Sequence, residues 1–266
     1  MTGPIEASAP ERRGTRRVNI MPLRYGRPLL AAPARRWAGA LLACCAIFVT
    51  VLGVLFAGQT GADQLDNRID SPIINWSQSH PGWAAWLAFP GSLRPAIVLS
   101  AAIVVACLCT GRLNGAVLAA AAVPVAVGLN DGLFKPLVHR TYRGVLTYPS
   151  GHTATLFALA ATVAVLLLVP PRSARARALR VAILVGVFAL AVVVAVGVIG
   201  LRWHYFTDTL AGAAVGTGTV CGLALLLDLT APRRWLSGRR EPVWNAPQLG
   251  RLRWLVAGRH YPLTHA

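Results

Sequence analysis

Six apolar runs, separated by polar connections, dominate this sequence. A helix that crosses the hydrocarbon core of a bilayer needs roughly 20 mainly apolar residues. All six runs come near that length, although the second and the fourth are shorter than the others. The runs cover residues 37–57, 95–110, 113–134, 153–169, 181–201 and 210–229. The pattern predicts an all-α, polytopic membrane bundle with six transmembrane helices.

Composition also places most of the chain in lipid. Hydrophobic residues make up 55% of the 266 residues and charged residues only 13%, a balance that soluble domains do not show. The cysteines all fall inside apolar runs, where a thiol behaves as a small apolar group. We therefore expect neither a disulfide nor a zinc site among them. They are Cys44, Cys45, Cys107, Cys109 and Cys221.

The basic charge of the chain indicates its orientation. Lys and Arg outnumber Asp and Glu by 26 to 9, and a basic face of a soluble domain would favour nucleic-acid binding. Here the cations cluster at the two ends and in the loop 172–180. When the runs alternate across a membrane, 20 of the 26 cations lie on one side. The positive-inside rule makes that side cytoplasmic, so we expect a cell-membrane protein with both termini in the cytoplasm and no nucleic-acid partner.

Three parts follow from this organisation. Residues 1–36 are expected to form a disordered, basic cytoplasmic tail, residues 37–229 the six-span domain, and residues 230–266 a basic cytoplasmic tail that contains tryptophans. Basic tails of this kind attract the anionic lipids of the inner leaflet. The connection 58–94 combines three aspartates with several aromatic residues, and part of it is expected to form an interfacial helix.

Ionisable residues within this apolar chain meet at one place. Such groups are costly at membrane depth, so their positions indicate function. One group ends the third run, one opens the fourth, and one joins the fifth to the sixth. With alternating spans, all three emerge on the extracytoplasmic face. The groups are Lys135, then Ser150 with His152, then Arg202, His204 and Asp208.

The segment 149–153, Pro-Ser-Gly-His-Thr, stands where the fourth run begins. The free N–H groups and the dipole of a helix N-terminus favour an anion. Ser150 adds a hydroxyl donor, and Gly151 allows the backbone to approach a ligand closely. The segment is typical of a phosphate site. The alternative is that Ser150 or Thr153 only caps the helix.

His204 and Asp208 are four residues apart, which is one helical turn. The carboxylate can hold one ring nitrogen of the histidine and leave the other as a base or nucleophile. An isolated pair of this kind is more often structural. Here His152 reaches the same face, and two histidines beside an anion site suit nucleophilic attack combined with protonation of the leaving group.

In this order, Lys135, the segment 149–152 and the segment 204–208 resemble the phosphatidic-acid phosphatase type 2 superfamily. That superfamily includes lipid phosphatases and shares its site with vanadium haloperoxidases. The resemblance covers roughly residues 38–229. It implies that His204 is the nucleophile that forms a phosphohistidine, that Asp208 orients it and that His152 protonates the departing oxygen.

For the substrate, the resemblance implies that Lys135, Ser150 and the Gly151 amide bind the phosphoryl oxygens. It implies no metal and no other cofactor.

Two departures from the family pattern concern arginines, and the first lies after the lysine. The family usually has Arg-Pro seven residues after it, where this chain has Tyr142 followed by Arg143. Arg140, five residues after Lys135, matches an arginine that many members have in this stretch. The resemblance therefore implies that Arg140 binds phosphate, with Arg143 as the alternative.

The second departure lies before the nucleophile. The family usually has an arginine six residues before the histidine, where this chain has Val198. Arg202 is two residues before His204, and residues two apart on a helix face different ways. Arg202 therefore binds phosphate only if the helix ends or bends there. Otherwise it extends to the lipid headgroups.

These observations predict a membrane phosphatase. We expect metal-independent hydrolysis of a phosphate monoester or diphosphate on a membrane lipid, such as a polyprenyl diphosphate, phosphatidic acid or phosphatidylglycerol phosphate. One alternative is a lipid phosphotransferase that uses the same site. Another is a non-catalytic lipid-binding or transport protein.

Overall fold

A computed structural model of the chain describes residues 28–80, 82–168 and 173–230. Its described part is almost entirely helical, which confirms the predicted all-α class. One two-stranded hairpin interrupts the helices. The elements are α1 Ala32–Leu55, α2 Gln64–Ser79, α3 Trp83–Ala88, a 3₁₀ turn Phe89–Gly91, α4 Leu93–Cys109, α5 Leu113–Leu129, a π-helical turn Asn130–Phe134, α6 Lys135–Val138, β1 Thr141–Tyr142, β2 Val145–Leu146, α7 Gly151–Leu167, α8 Ala174–Gly200 and α9 Phe206–Thr230.

Four helical segments of the described residues are long and apolar enough to cross a membrane. They are α1, the continuous segment Leu113–Val138, α8 and α9. The segment Trp83–Gly91 is followed by α4 after a bend of 43°. If these two helices are counted as one bent span, they make a fifth candidate. Helix α7 is apolar but only 17 residues long. The structure thus contains four or five candidate spans by length and composition, against the six predicted.

Helix α9 packs closely between α7 and α1. A Cβ atom at Gly216 would overlap the backbone of Ala154 in α7, and one at Gly212 would overlap the backbone at Ser150. On the other side, a Cβ at Gly218 would lie 3.1 Å from the Cβ of Cys45 in α1. The glycines thus allow a backbone-to-backbone approach that larger residues prevent. This contact fixes the start of α7 against the start of α9.

Helix α2 forms within the long connection for which an interfacial helix was predicted. The Asp63 side chain caps it by accepting the N–H of Asp66 at 2.7 Å, as expected of an N-cap aspartate. Its carboxylates Asp66 and Asp70 are buried, and both contact the first turn of α9. The helix therefore lies beside the end of the bundle at which α7 and α9 begin.

The opposite end of α9 holds the segment that precedes α1. Asp228 accepts the N–H groups of Leu29 and Leu30 at 2.6 and 3.0 Å and pairs with Arg35 Nε at 3.2 Å. Both leucines are buried among the helices. Helix α1 begins at Ala32, with a proline in its first turn, as is usual at helix starts. Most of both predicted tails, namely 1–27 and 231–266, lies outside the described residues.

Candidate active site

The loop between α6 and α7 contains a tight hairpin. Tyr142 pairs with Val145, and the two residues between them turn the chain. Arg143 and Gly144 have φ values of +52° and +80°, and positive φ at both positions is typical of the two-residue turn that fits strand twist. Arg143 is exposed at the tip of this hairpin.

A cavity of about 630 Å³ lies where α5, α6, α7 and the end of α8 meet. Its polar wall combines the ionisable residues Asp131, Lys135, Arg143, His152, Arg202 and His204 with Gly151. Its apolar wall lies between α4, α5 and α7 and includes Leu93, Ala96, Val123 and Val127. Of the predicted site residues, Lys135, Gly151, His152, Arg202 and His204 are brought together here. Ser150, Arg140 and Asp208 do not line this cavity.

His204 and Asp208 are adjacent without a close hydrogen bond. The distance from Nδ1 of His204 to Oδ2 of Asp208 is 3.9 Å, and this buried nitrogen has no hydrogen-bond partner. Oδ2 accepts the N–H of Tyr205 at 3.1 Å, which holds the carboxylate at the start of α9. Catalytic hydrogen bonds are often long in the absence of substrate and shorten in the complex. The pair can therefore close with a small movement.

Arg140 lies inside the protein, away from the cavity wall. Its side chain is fully buried and pairs with Asp66 and Asp208 at 2.5 and 2.7 Å. The rings of Phe56 and Tyr205 lie 4.1 and 4.3 Å from the guanidinium carbon. With its charge committed to two carboxylates, Arg140 does not have the position expected of a phosphate ligand. The alternative named above, Arg143, is the arginine of this stretch that lines the cavity.

Ser150 caps α7. Its buried hydroxyl oxygen accepts the N–H of Thr153 at 3.5 Å and the hydroxyl of Thr153 at 3.1 Å. Its own N–H donates to the carbonyl of Asp208 at 2.9 Å, which ties the start of α7 to the start of α9. In these contacts Ser150 acts as a helix cap, which was the alternative to phosphate binding in the sequence analysis. Gly151, the next residue, lines the cavity.

Lys135 lies just after the π-helical turn that ends α5. Its Nζ pairs with Oδ1 of Asp131 at 2.9 Å. Asn130, the neighbour of Asp131, donates to the carbonyl of Pro149 at 3.1 Å and so connects α5 to the segment that opens α7. No role was predicted for Asn130 from the sequence, although a polar residue at the end of an apolar run can indicate one.

The helix ends just before Arg202, which is the condition under which we expected Arg202 to bind phosphate. Helix α8 ends at Gly200, and Arg202 has a φ of +59°. The N–H groups of Arg202 and Trp203 close the helix end on the carbonyls of Ile199 and Val198 at 2.8 and 3.0 Å, which is a common C-terminal arrangement. Because the helix ends here, Arg202 and His204 line the same cavity.

Asp66 and Asp70 of α2 hold the start of α9 behind the cavity wall, a contact that the sequence did not indicate. Asp66 accepts the N–H of Thr207 at 2.9 Å, and Asp70 accepts the N–H of Phe206 at 3.2 Å. Burial, together with the charge of Asp66, raises the pKa of Asp70 to about 7, because both disfavour a second carboxylate charge. A helix-period pair of aspartates in a surface connection is normally solvated, so only the fold identifies these two.

The described residues contain no group of three or more His, Cys, Asp or Glu side chains arranged to hold a metal ion.

The fold and the cavity together define a helical, multi-pass membrane protein with two histidines and several cations around one pocket. The family model of the PAP2 superfamily matches residues 127–230. This match confirms the resemblance found in the sequence over residues 127–230, a region that contains every predicted site residue from Lys135 to Asp208. No curated protein and no solved structure matched the chain. PAP2 members are phosphatases, which suggests phosphatase activity on phosphate esters.

Proposed function

We propose that the protein hydrolyses a phosphate monoester or diphosphate of a membrane lipid through a phosphohistidine on His204. One observation carries the proposal. His152 and His204 line a single cavity in which a cationic wall faces an apolar wall between membrane helices. The cationic wall suits a phosphoryl group, and the apolar wall suits the first part of a lipid chain.

The first half of the reaction transfers the phosphoryl group to the enzyme. Nδ1 of His204 faces Asp208, so Nε2 is free to attack phosphorus. The N–P bond forms as the bond from phosphorus to the lipid oxygen breaks, and His152 donates a proton to that oxygen. Lys135, Arg143 and Arg202, with the N–H groups at the start of α7, stabilise the charge on the phosphoryl oxygens.

The second half releases phosphate. Water attacks the phosphohistidine and gives a proton to His152, which returns that residue to its starting state. The N–P bond breaks, and the phosphate leaves with its charge still balanced by the cations of the cavity. Asp208 stabilises the positive charge that the His204 ring carries while it is phosphorylated.

The apolar wall supports a lipid substrate over a soluble phosphate. Ala96 and Val123 are buried, and Val127 faces the cavity between α4, α5 and α7. Polyprenyl diphosphates, phosphatidic acid and phosphatidylglycerol phosphate share this combination of phosphate and chain. A Val127→Phe variant narrows the apolar end. It should lower kcat/KM for a long-chain lipid phosphate while leaving a short-chain analogue unaffected.

We further propose six spans, both termini in the cytoplasm and the cavity on the extracytoplasmic face. The bent segment 83–109 supplies the fifth span and α7 the sixth, since 17 residues is the lower limit for crossing. The charge count of the loops supports this orientation. Reporters fused after Ala266 and within 172–180 should report cytoplasm, and one within 58–62 should report the outside. The opposite pattern would place the cavity on the cytoplasmic face.

The decisive experiment uses purified protein in detergent with a panel of lipid phosphates and diphosphates. Released phosphate gives the activity, and His204→Ala should abolish it. Rapid quenching with labelled substrate should trap label on His204 that survives alkali and is lost in acid, as a phosphoramidate is. Activity that disappears with a chelator and returns with magnesium, without label on His204, would refute the mechanism.

A further inference from the structure

Helix α2 reaches the candidate site from outside the region that matches the PAP2 superfamily. Its residue Asp66 is fully buried, with both carboxylate oxygens in use. Oδ1 accepts the N–H of Thr207 at 2.9 Å, and Oδ2 pairs with Nη2 of Arg140 at 2.5 Å. A buried carboxylate held this tightly is costly unless its partners are fixed. Asp66 thereby fixes one side of the Arg140 guanidinium.

The other side of Arg140 holds Asp208. Nη1 donates to Oδ1 of Asp208 and to Oγ1 of Thr207, both at 2.7 Å. The rings of Phe56 and Tyr205, 4.1 and 4.3 Å from the guanidinium carbon, restrict its plane. Since a guanidinium donates in fixed directions, its orientation determines where Oδ1 of Asp208 lies. Through Arg140, the position of Asp66 therefore influences the position of the Asp208 carboxylate.

Asp208 in turn faces the nucleophile. With Oδ1 held by Arg140, Oδ2 is the oxygen that faces Nδ1 of His204, 3.9 Å away. Two carboxylates share one guanidinium here, so the cluster retains negative charge. Without Asp66, Arg140 would pair with Asp208 alone and neutralise the charge that the His204 ring needs when it becomes positive.

We propose that Asp66 is a positioning residue for the nucleophile His204 and acts through Arg140 and Asp208. The kinetic part of this inference rests on the proposed function. Asp66 then helps to orient the nucleophile, although α2 lies outside the family match. Asp66 touches no cavity residue that we assign to substrate binding, so its loss should affect the rate of the chemical step and leave substrate binding nearly unchanged.

Asp66→Asn is the main variant, because it keeps the size of the side chain while it removes the charge and one of the two acceptor oxygens. We expect kcat to fall about 10- to 100-fold, by analogy with groups that orient metal-binding histidines, while KM changes less than about twofold. Arg140→Lys provides a second route to the same result, since it keeps the charge and loses the fork geometry. Its kcat should fall in the same way.

Asp70→Asn is the matched control. Asp70 lies one turn further along α2 and also accepts an N–H at the start of α9, but it forms no ion pair with Arg140 among the described contacts. The assay is run at about pH 6, where Asp70 with its pKa of about 7 is mostly protonated and Asn resembles it closely. This variant should keep wild-type kcat within about twofold.

A measurement without substrate separates this inference from the proposed function. In protein with ¹⁵N-labelled histidine, the Nδ1 signal of His204 at about pH 6 should move in Asp66→Asn and Arg140→Lys and stay in place in Asp70→Asn. If the wild type releases no phosphate, the proposed function fails, and this signal still tests the positioning. An unchanged His204 signal with wild-type kcat in Asp66→Asn would overturn it. Equal loss of kcat and melting temperature in Asp66→Asn and Asp70→Asn would also overturn it and leave α2 a packing role.

Discussion

Arg140 and Arg143 are three residues apart, and the structure places one in buried ion pairs and the other at the cavity. Arg143 is exposed at the hairpin tip and lines the cavity. If it binds a phosphoryl oxygen, Arg143→Gln removes one charge-assisted hydrogen bond worth about 1.5–3 kcal/mol. At 1.36 kcal/mol for each factor of ten, kcat/KM should fall about 10- to 150-fold. The melting temperature should hardly change, because an exposed side chain contributes little to stability.

Arg140→Gln should instead destabilise the protein. It leaves the buried carboxylates of Asp66 and Asp208 facing each other without their cation, and breaking such a buried pair costs about 3–5 kcal/mol. The assays are kcat/KM with a lipid phosphate in detergent micelles and the melting temperature of the same preparations. Arg68→Gln is the control, since Arg68 is exposed and lies outside the cavity. Wild-type kcat/KM in Arg143→Gln, or wild-type melting in Arg140→Gln, would refute the assigned roles.

Three further predictions concern stability. Gly216→Ala should destabilise the bundle by about 1–3 kcal/mol, because the new Cβ overlaps the backbone of Ala154. Gly222→Ala is its control and should be neutral or stabilising, since its Cβ would lie 3.8 Å from Leu42. Equal melting temperatures of the two variants would contradict this packing. Asp228→Ala should cost about 2–3 kcal/mol by leaving the N–H groups of the segment before α1 without their acceptor, and an unchanged melting temperature would show that this segment is not held there. Because the pKa of Asp70 is raised to about 7 from 3.8, the folded protein keeps a proton that the unfolded chain loses, so this group lowers stability as pH rises from about 4 to about 7. Asp70→Asn should therefore gain melting temperature relative to wild type at about pH 8 compared with about pH 5, and a difference independent of pH would exclude this effect.

The helices were predictable because their signal is local. Each of the six apolar runs lies on a helix that the structure contains, and the ends differ by up to seven residues, as for α8, which begins at Ala174 where the run begins at 181. The start of α8 carries arginines that the hydropathy pattern excludes but that a helix end tolerates. The bend of 43° before α4 was not predictable. It occurs where Ser92 adopts an extended conformation, which apolar periodicity does not reveal.

The arrangement of the cavity was predictable only where topology decides it. Lys135, His152 and His204 stand at the ends of three successive runs, so alternation across the membrane is enough to bring them together. The choice between Arg140 and Arg143 depends on side-chain burial, which depends on distant residues. Arg140 is withdrawn from the cavity by Asp66, 74 positions earlier in the chain. No pattern near Arg140 reports that partner, so a motif register could suggest the role of phosphate ligand but could not test it.

The carboxylates of α2 explain why a family motif can describe this site incompletely. The motif residues are those that we propose to contact substrate, and their types suit phosphoryl transfer. The groups behind them need only to hold a charge and a direction, and different elements can do this. In this chain Arg143, at the hairpin tip, contributes a cation to the cavity wall. Arg140 forms ion pairs with Asp66 and Asp208 instead. A variant that moves the cavity arginine back to position 142, Tyr142→Arg with Arg143→Gly, should therefore retain activity, since Asp66, Arg140 and Asp208 are untouched and glycine favours the positive φ at position 143. If phosphate release instead falls as far as in Arg143→Gln, the turn must present its cation from position 143 alone.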